Sequence, residues 1–204
     1  MSVTAVVVAG GRPGGVDTLV PIGGVPMVVR AVRNVIASGL VGHVVLLDAL
    51  ARRDALVRAC SGLPVSVHDG FGRPPRSDGV VLLHDAARPL APSALVVAVV
   101  EVVRAGHDGA VPVLALADTV KQVDGDGLVA ATPDRSGLRV VQTPQAIRAD
   151  LLAADLVGDP LTVLAHHAAA GGAVHTVPGH PRAFAVRGTW DLELAEWLVA
   201  RGEP

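Results

Sequence analysis

Lysine is nearly missing from this chain: Lys121 is the only one, and every other formal positive charge is an arginine. That is unusual for a protein that handles triphosphates, where a lysine commonly offsets developing phosphate charge. Tyrosine is absent and aromatics make up 2% of the residues, so the core has to be built from Val, Leu, Ala and Ile. Such residues suit buried parallel strands covered by helices. A single cysteine, Cys60, rules out an internal disulfide framework and a cysteine-built zinc site. The net charge of -2 supplies no positive field to hold a nucleic acid or an anionic membrane, so neither partner is expected. Half of the residues are hydrophobic, yet charged, Pro or Gly residues interrupt each apolar run before it reaches the length of a membrane helix. The start, Met1 to Gly10, lacks a charged n-region, and a reducing cytoplasm is the expected location.

What is present alternates. A length of 204 residues favours one domain spanning 1–204. Thr4 to Ala9 is an apolar, β-branched run that ends in Gly10-Gly11, and Pro26 to Ser38 follows with helical spacing. His43 to Leu47, Val65 to Val67, Val80 to Leu83 and Ala110 to Leu114 read as further strands. Ala49 to Ala59 and Pro92 to Ala105 read as the helices between them. This order predicts an α/β fold with a doubly wound, mostly parallel, Rossmann-like sheet. From about 117 to 142 the pattern changes: Asp118 to Val123 and Leu128 to Thr132 flank Asp124-Gly125-Asp126-Gly127, a strong hairpin signal, and predict a protruding β-arm. Helices are expected at Ala149 to Ala154, Leu161 to Ala170 and Thr189 to Ala200, with strands near Val174 and over Ala183 to Val186.

Two places carry candidate chemistry. Ala9, Gly10, Gly11 and Gly14 follow the first strand, where backbone N–H groups can approach phosphates, and Arg12 adds a bidentate cation. Their spacing matches neither the dinucleotide fingerprint nor the phosphate loop with its lysine. An ordinary strand-to-helix turn is the plain alternative. The second place is Val80 to Pro89, where Asp85 and Arg88 emerge together at the carboxyl end of a predicted central strand. Asp85 is a candidate Mg²⁺ ligand, and a structural Asp85–Arg88 pair is the alternative. His166, His167, His175 and His180 show no metal-ligand spacing, and Cys60 reads as a small buried hydrophobe.

The string His84-Asp85-Ala86-Ala87-Arg88-Pro89 resembles a signature of the 2-C-methyl-D-erythritol 4-phosphate cytidylyltransferases, which act in the non-mevalonate route to isoprenoids. Asp118-Thr119-Val120-Lys121, Asp134-Arg135-Ser136-Gly137-Leu138 and Gln142-Thr143-Pro144-Gln145 extend the resemblance in order, with a fainter echo in Asp191-Leu192. The resemblance implies CTP and methylerythritol phosphate as substrates, Mg²⁺ as cofactor, and a nucleotidyltransferase fold. It assigns Asp85 to the metal, and Arg88, Thr119, Arg135, Thr143 and, by substitution, Arg187 to the methylerythritol phosphate. Arg12, Asp85 and Arg135 are the implied catalytic set. It also implies a homodimer whose arms carry Thr119 and Arg135 into the neighbour's site.

Three departures from the family pattern accompany it. The lysine that follows the glycine loop is missing, its place falling on Asp17 or Thr18 according to the direction of counting. The lysine that precedes the C-terminal Asp-Leu becomes Ala185. Arg187, two residues on, is expected on the same face of a strand. Asp69 to Gly79 is shorter than the stretch that meets the base, and only Arg73, Arg76 and Ser77 remain there. A silent paralogue that binds a phosphorylated ligand or regulates a partner, or a transferase with another nucleotide or acceptor, is therefore the alternative reading.

Overall fold

The first apolar run forms β1 (Val3–Val8), whose residues from Ala5 onward are buried, as a strand covered on both faces requires. The structure is a computed structural model that describes residues 1–10, 15–48, 52–69, 79–152 and 159–202. A short hairpin of β2 (Pro21–Ile22) and β3 (Val25–Pro26) leads into α1 (Met27–Ile36). That helix buries Met27, Val28, Val29, Ala31, Val32 and Val35 and leaves Arg30, Arg33 and Asn34 on its other face. The alternation continues with β4 (Val44–Asp48), α2 (Arg53–Ala59), β5 (Val65–Asp69), β6 (Val80–Asp85), α3 (Ser93–Arg104) and β7 (Gly109–Ala115).

β1 pairs in parallel with β4 on one side and with β6 on the other, and β5 lies beyond β4. The chain thus leaves β1 toward one edge of the sheet and leaves β6 toward the other. The carboxyl ends of β1 and β6 flank the switch point where open α/β sheets bind ligands. Successive residues of β1 point to opposite faces: Ala5 and Val7 join a cluster with α1, α2 and α3, while Val6 joins one with Leu83, Ile147 and Leu164. The expected α/β architecture with a mostly parallel sheet is borne out.

Beyond β7 the arm carries β8 (Gln122–Val123) paired with β9 (Val129–Ala131). Its turn is tied by Asp124 Oδ1, which accepts from the N–H groups of Asp126 (3.1 Å) and Leu128 (2.9 Å), and Gly127 takes the left-handed φ of 80° that the turn needs. β10 (Arg139–Val141) and β11 (Gln145–Arg148) return antiparallel along one edge of β7, and β11 also pairs with β6. β12 (Val174–Pro178), reached through α4 (Val163–Ala169), runs parallel on the other edge of β7, and α5 (Thr189–Ala200) follows.

Two expectations need correction. The strand expected over Ala183 to Val186 does not form: Pro181–Ala183 is a 3-10 turn, Pro181 suiting its start and His180 Nδ1 accepting from the Arg182 N–H (3.1 Å). A backbone bond from the Val186 N–H to Ala87 O (2.7 Å) attaches the following segment to the loop after β6. The helix expected from Ala149 is a 3-10 turn over Ala149–Leu151, and residues 153–154 of it lie outside the described residues.

Candidate active site

The glycine loop is described at its two stems. Gly11, Arg12 and Gly14 lie outside the described residues. At the first stem Ala9 is buried, its N–H donating to Leu47 O (2.8 Å), and Gly10 follows it. Ala9 O accepts twice, from Thr18 Oγ1 (2.8 Å) and from Arg52 Nη2 (2.9 Å). The second stem contains Asp17, whose Oδ1 accepts from the Leu19 N–H (2.9 Å) and from Arg52 Nη1.

Arg52 therefore grips both stems at once. It is anchored in turn by Asp48, fully buried at the end of β4, which accepts from Arg52 Nη2 (2.9 Å) and from its backbone N–H (2.7 Å). Burial opposes the Arg52 charge, but hydrogen bonds to Asp48 and Asp17 outweigh it and raise the guanidinium pKa. Asp17, which stands where one count places the family lysine, does not present a bare negative charge to the crevice: Arg52 pairs with it. Sequence reasoning missed Arg52, which reads as one polar residue of the expected Ala49 to Ala59 helix.

Across the switch point, β6 ends in His84 and Asp85. The Asp85 N–H donates to Thr143 Oγ1 (3.1 Å), and Thr143 Oγ1 lies 2.9 Å from His84 Nδ1. Burial, reinforced by the positive charge of Arg88 and opposed by a backbone hydrogen bond to Arg88, pushes the His84 pKa down to about 3. Neutral His84 accepts at Nδ1, so the Thr143 hydroxyl donates to the ring while accepting from Asp85. This orients Asp85. Its Oδ1 accepts from the Ala87 N–H (2.9 Å), which turns the chain sharply after the strand.

The structure places Arg88 deep, 8% exposed, where its guanidinium donates to Ala183 O and to Val141 O (3.3 Å). Arg88 thus ties the loop after β6 to the root of the arm and to the C-terminal segment. Gln142 supports the same junction, its side-chain amide exchanging two 2.9 Å bonds with the His180 backbone. The approach is so close that a Cβ on Gly179 would meet Gln142 Oε1 at 2.4 Å and Val113 O at 2.9 Å, which demands glycine there. Thr143 is likewise buried.

Thr119 and Arg135 sit exposed on the arm, and Arg135 Nη1 donates to Ala117 O, two residues before Thr119. Lys121, also on the arm, donates to Thr132 Oγ1 (2.7 Å). Arg187 is exposed, its N–H donating to Asp191 Oδ2 (2.8 Å) at the start of α5. It does not share a strand face with Ala185, because that segment is not a strand. Arg73, Arg76 and Ser77 lie outside the described residues. His167 pairs with Asp108 (3.2 Å), the rings of His107 and His175 stack 3.8 Å apart, and Cys60 is buried with its thiol pKa raised by that burial.

The mostly parallel sheet, with the antiparallel β11 inserted beside β6 and the switch point between the carboxyl ends of β1 and β6, is that of a nucleotidyltransferase fold. The model of the 2-C-methyl-D-erythritol 4-phosphate cytidylyltransferase family matches residues 3–201. A relative of that name from Frankia casuarinae is 43% identical, with 99% of this chain and 83% of the relative aligned. One from Nocardia farcinica is 42% identical, over 98% of this chain and 95% of its own. The solved enzyme of the same name from Thermus thermophilus superposes with a TM-score of 0.75 at 25% identity, covering 98% of this chain and 100% of that one. The 4-diphosphocytidyl-2C-methyl-D-erythritol synthase of Anaerococcus prevotii shares the fold, with a TM-score of 0.79 at 20% identity over 98% and 99% of the two chains. The chain belongs to the 2-C-methyl-D-erythritol 4-phosphate cytidylyltransferase family and is a transferase of isoprenoid biosynthesis.

The His84 ring has a consequence for acid stability. An unfolded histidine titrates near pH 6.5, whereas His84 in the fold titrates at about 3. Above 6.5 neither state binds the proton. As pH falls below 6.5 the unfolded chain takes up a proton that the folded chain refuses, so stability drops by up to about 1.4 kcal/mol per pH unit until pH approaches 3. His84→Asn keeps an acceptor for Thr143 but does not titrate. Urea unfolding between pH 6 and 4 is expected to show a pH dependence shallower by about one proton than in the parent chain. An unchanged slope would mean that His84 protonates inside the fold.

Proposed function

We propose that the protein joins CTP to 2-C-methyl-D-erythritol 4-phosphate, the substrate phosphate attacking the α-phosphorus of CTP in line and diphosphate leaving. The observation that carries this reading is the pairing of Asp85, oriented by Thr143 and His84, with a glycine loop whose stems Arg52 holds across the switch point. Phosphoryl-type transfer asks a protein mainly for positioning and charge stabilisation, and both halves of the crevice are built for that. The glycine loop, from Ala9 and Gly10 through Gly11 and Gly14, holds the triphosphate by backbone N–H groups, and Arg12 supplies the cation that lysine supplies elsewhere in the family. Asp85 suits Mg²⁺, a hard cation that takes one or two carboxylates beside substrate phosphates and waters. Bound there, the ion would neutralise triphosphate charge.

The acceptor phosphate falls to Arg135 and Thr119 of a second copy and to Arg187 at the rim of this chain, while Thr143, whose hydroxyl proton goes to His84, serves by orienting Asp85. Arg88, its guanidinium held by Ala183 O and Val141 O, shapes the wall from behind. The homodimer rests on the arm, where Val123, Leu128, Val129, Val140 and Val141 all stand exposed. A two-stranded hairpin this apolar gains stability by packing on another surface, and a second copy offers a matching one. Replacing Leu128 and Val129 together with Asp is expected to convert dimer to monomer by sedimentation and to lower turnover by about tenfold or more, since Thr119 and Arg135 then lose the site they complete. A monomer with full turnover would refute composite sites.

The direct test is diphosphate release by the purified protein with Mg²⁺, methylerythritol phosphate and each nucleoside triphosphate in turn. Release with CTP above the others is the expected result. Release with another triphosphate would move the reading to a different donor, and neither release nor binding of CTP would favour the silent paralogue.

A further inference from the structure

α5 is apolar on two faces. Leu192, Ala195, Leu198 and Val199 pack against Ile22, Met27, Leu90 and Val186. On the other side Trp190, Leu194 and Trp197, spaced i, i+4 and i+7, form one stripe and stand 78, 40 and 51% exposed. The stripe holds both tryptophans of a chain that has no tyrosine and two phenylalanines. A contiguous apolar patch on a protein surface marks an interaction site, and tryptophan is the side chain most enriched where such sites carry their binding energy.

The stripe starts beside the root of the arm. Arg88 donates to Val141 O and to Ala183 O, and the Val186 N–H donates to Ala87 O three residues before α5 begins. In the composite site, on whose reading this inference rests, Thr119 of a second copy arrives at Arg187, three residues before Trp190. From there the two surfaces match in length. The five steps from Thr119 to the turn at Asp124 cover about 17 Å at the rise of a strand, and the 12 residues of α5 cover about 18 Å at the rise of a helix. They match in chemistry as well. Val123 and Val129 are cross-strand partners, so both point to one face of the hairpin, and both are exposed. Lys121 precedes Asp126 along the arm, Glu193 precedes Arg201 along α5, and all four are exposed. The Arg201 guanidinium lies 4.2 Å over the Trp197 ring, at the end of the stripe that the acidic turn would reach. A dimer of ordinary size covers about 800 Å² on each copy. The few aliphatic side chains of the arm supply part of that, and each covered tryptophan adds about 150–250 Å², one arm and one stripe coming from each copy by symmetry.

We propose that the stripe of Trp190, Leu194 and Trp197 is the seat of the β-arm of a second copy. The arm lies along α5 with Val123 and Val129 on the tryptophans and its acidic turn toward Arg201.

Since the chain has no tyrosine, emission from Trp190 and Trp197 reads the seat alone. Emission and acrylamide quenching of the whole protein are followed beside sedimentation through a dilution series, for the parent and for Leu128→Asp with Val129→Asp. The parent dimer is expected to emit at shorter wavelength and to be quenched less than the monomeric arm variant, and to approach that variant as dilution dissociates it. Trp190→Lys with Leu194→Lys is expected to weaken the dimer about a hundredfold or more while melting as the arm variant does, since both side chains stand in solvent on the single chain. A parent dimer whose tryptophans emit and quench as the monomer's do, or a Trp190→Lys, Leu194→Lys chain that dimerises as the parent does, would overturn the seat and leave composite sites standing. An arm variant that stays dimeric with shielded tryptophans would mean that α5 receives a second α5, and would overturn the arm as occupant. A parent that turns over as a monomer would instead overturn the composite-site reading, and the seat with it.

Discussion

Asp85→Asn is expected to lower diphosphate release by about a thousandfold or more while leaving thermal stability almost unchanged. The two halves of that result come from different atoms. Asp85 Oδ1 holds the Ala87 N–H, a bond worth about 1 kcal/mol, and an asparagine Oδ1 accepts it equally well. The Asp85 backbone N–H still reaches Thr143, so the turn after β6 keeps its shape. What asparagine lacks is the negative charge that would hold a divalent cation beside the triphosphate. Asp85→Ala removes both properties and should lose stability as well as turnover. Comparing the two variants separates a metal-binding carboxylate from a loop-closing one. Near-parent turnover in Asp85→Asn would return this residue to the structural role that sequence alone left open.

Why Asp85 was legible and Arg52 was not follows from the reach of their contacts. Asp85 ends a run of buried strand residues and belongs to a six-residue string, so both its place in the sheet and its chemistry are written locally. α5, with its bounds at Thr189 and Ala200, was readable for the same reason: its pattern and its stop lie within one segment. The place of β11 was not, because an antiparallel strand of four residues gains its position only by pairing with β6 and β7, both far away in sequence. Arg88 shows the same limit. Its position beside Asp85 suggested a ligand contact, but its guanidinium reaches Val141 and Ala183, 53 and 95 residues on, and closes the junction of arm and C-terminal segment. Arg52 lies 43 residues from Ala9 and 35 from Asp17, distances at which no periodicity speaks.

The missing family lysine becomes intelligible once Arg52 is placed. A lysine at position 17 would stand beside Arg52 as a second cation; aspartate there instead draws Arg52 across the neck of the loop and ties the two stems together. On the proposed reading the charge that lysine would bring to the phosphates would fall to Arg12 and to Mg²⁺, while the stems of the loop gain a brace in Arg52. Arg52→Ala is accordingly expected to be the most destabilising single change near the crevice. It takes from the fully buried Asp48 the charged partner that donates to its Oδ1, and breaking a buried pair in this way costs about 3–5 kcal/mol. Asp17→Ala, whose side chain is half exposed, should cost under about 1 kcal/mol and act mainly on the loop. Arg52→Lys keeps the charge, but a single ammonium cannot span Ala9 O, Asp17 and Asp48 in the geometry of a planar fork, so turnover should fall while much of the stability remains. Adding Asp48→Asn to Arg52→Ala removes the buried charge that Arg52 faced and should recover part of the stability without recovering turnover, because the stems of the loop stay untied. Thermal unfolding and diphosphate release measured on the four variants test this directly. If Arg52→Ala unfolds and turns over as the parent does, the brace contributes nothing and other bonds, such as Thr18 Oγ1 to Ala9 O, hold the stems.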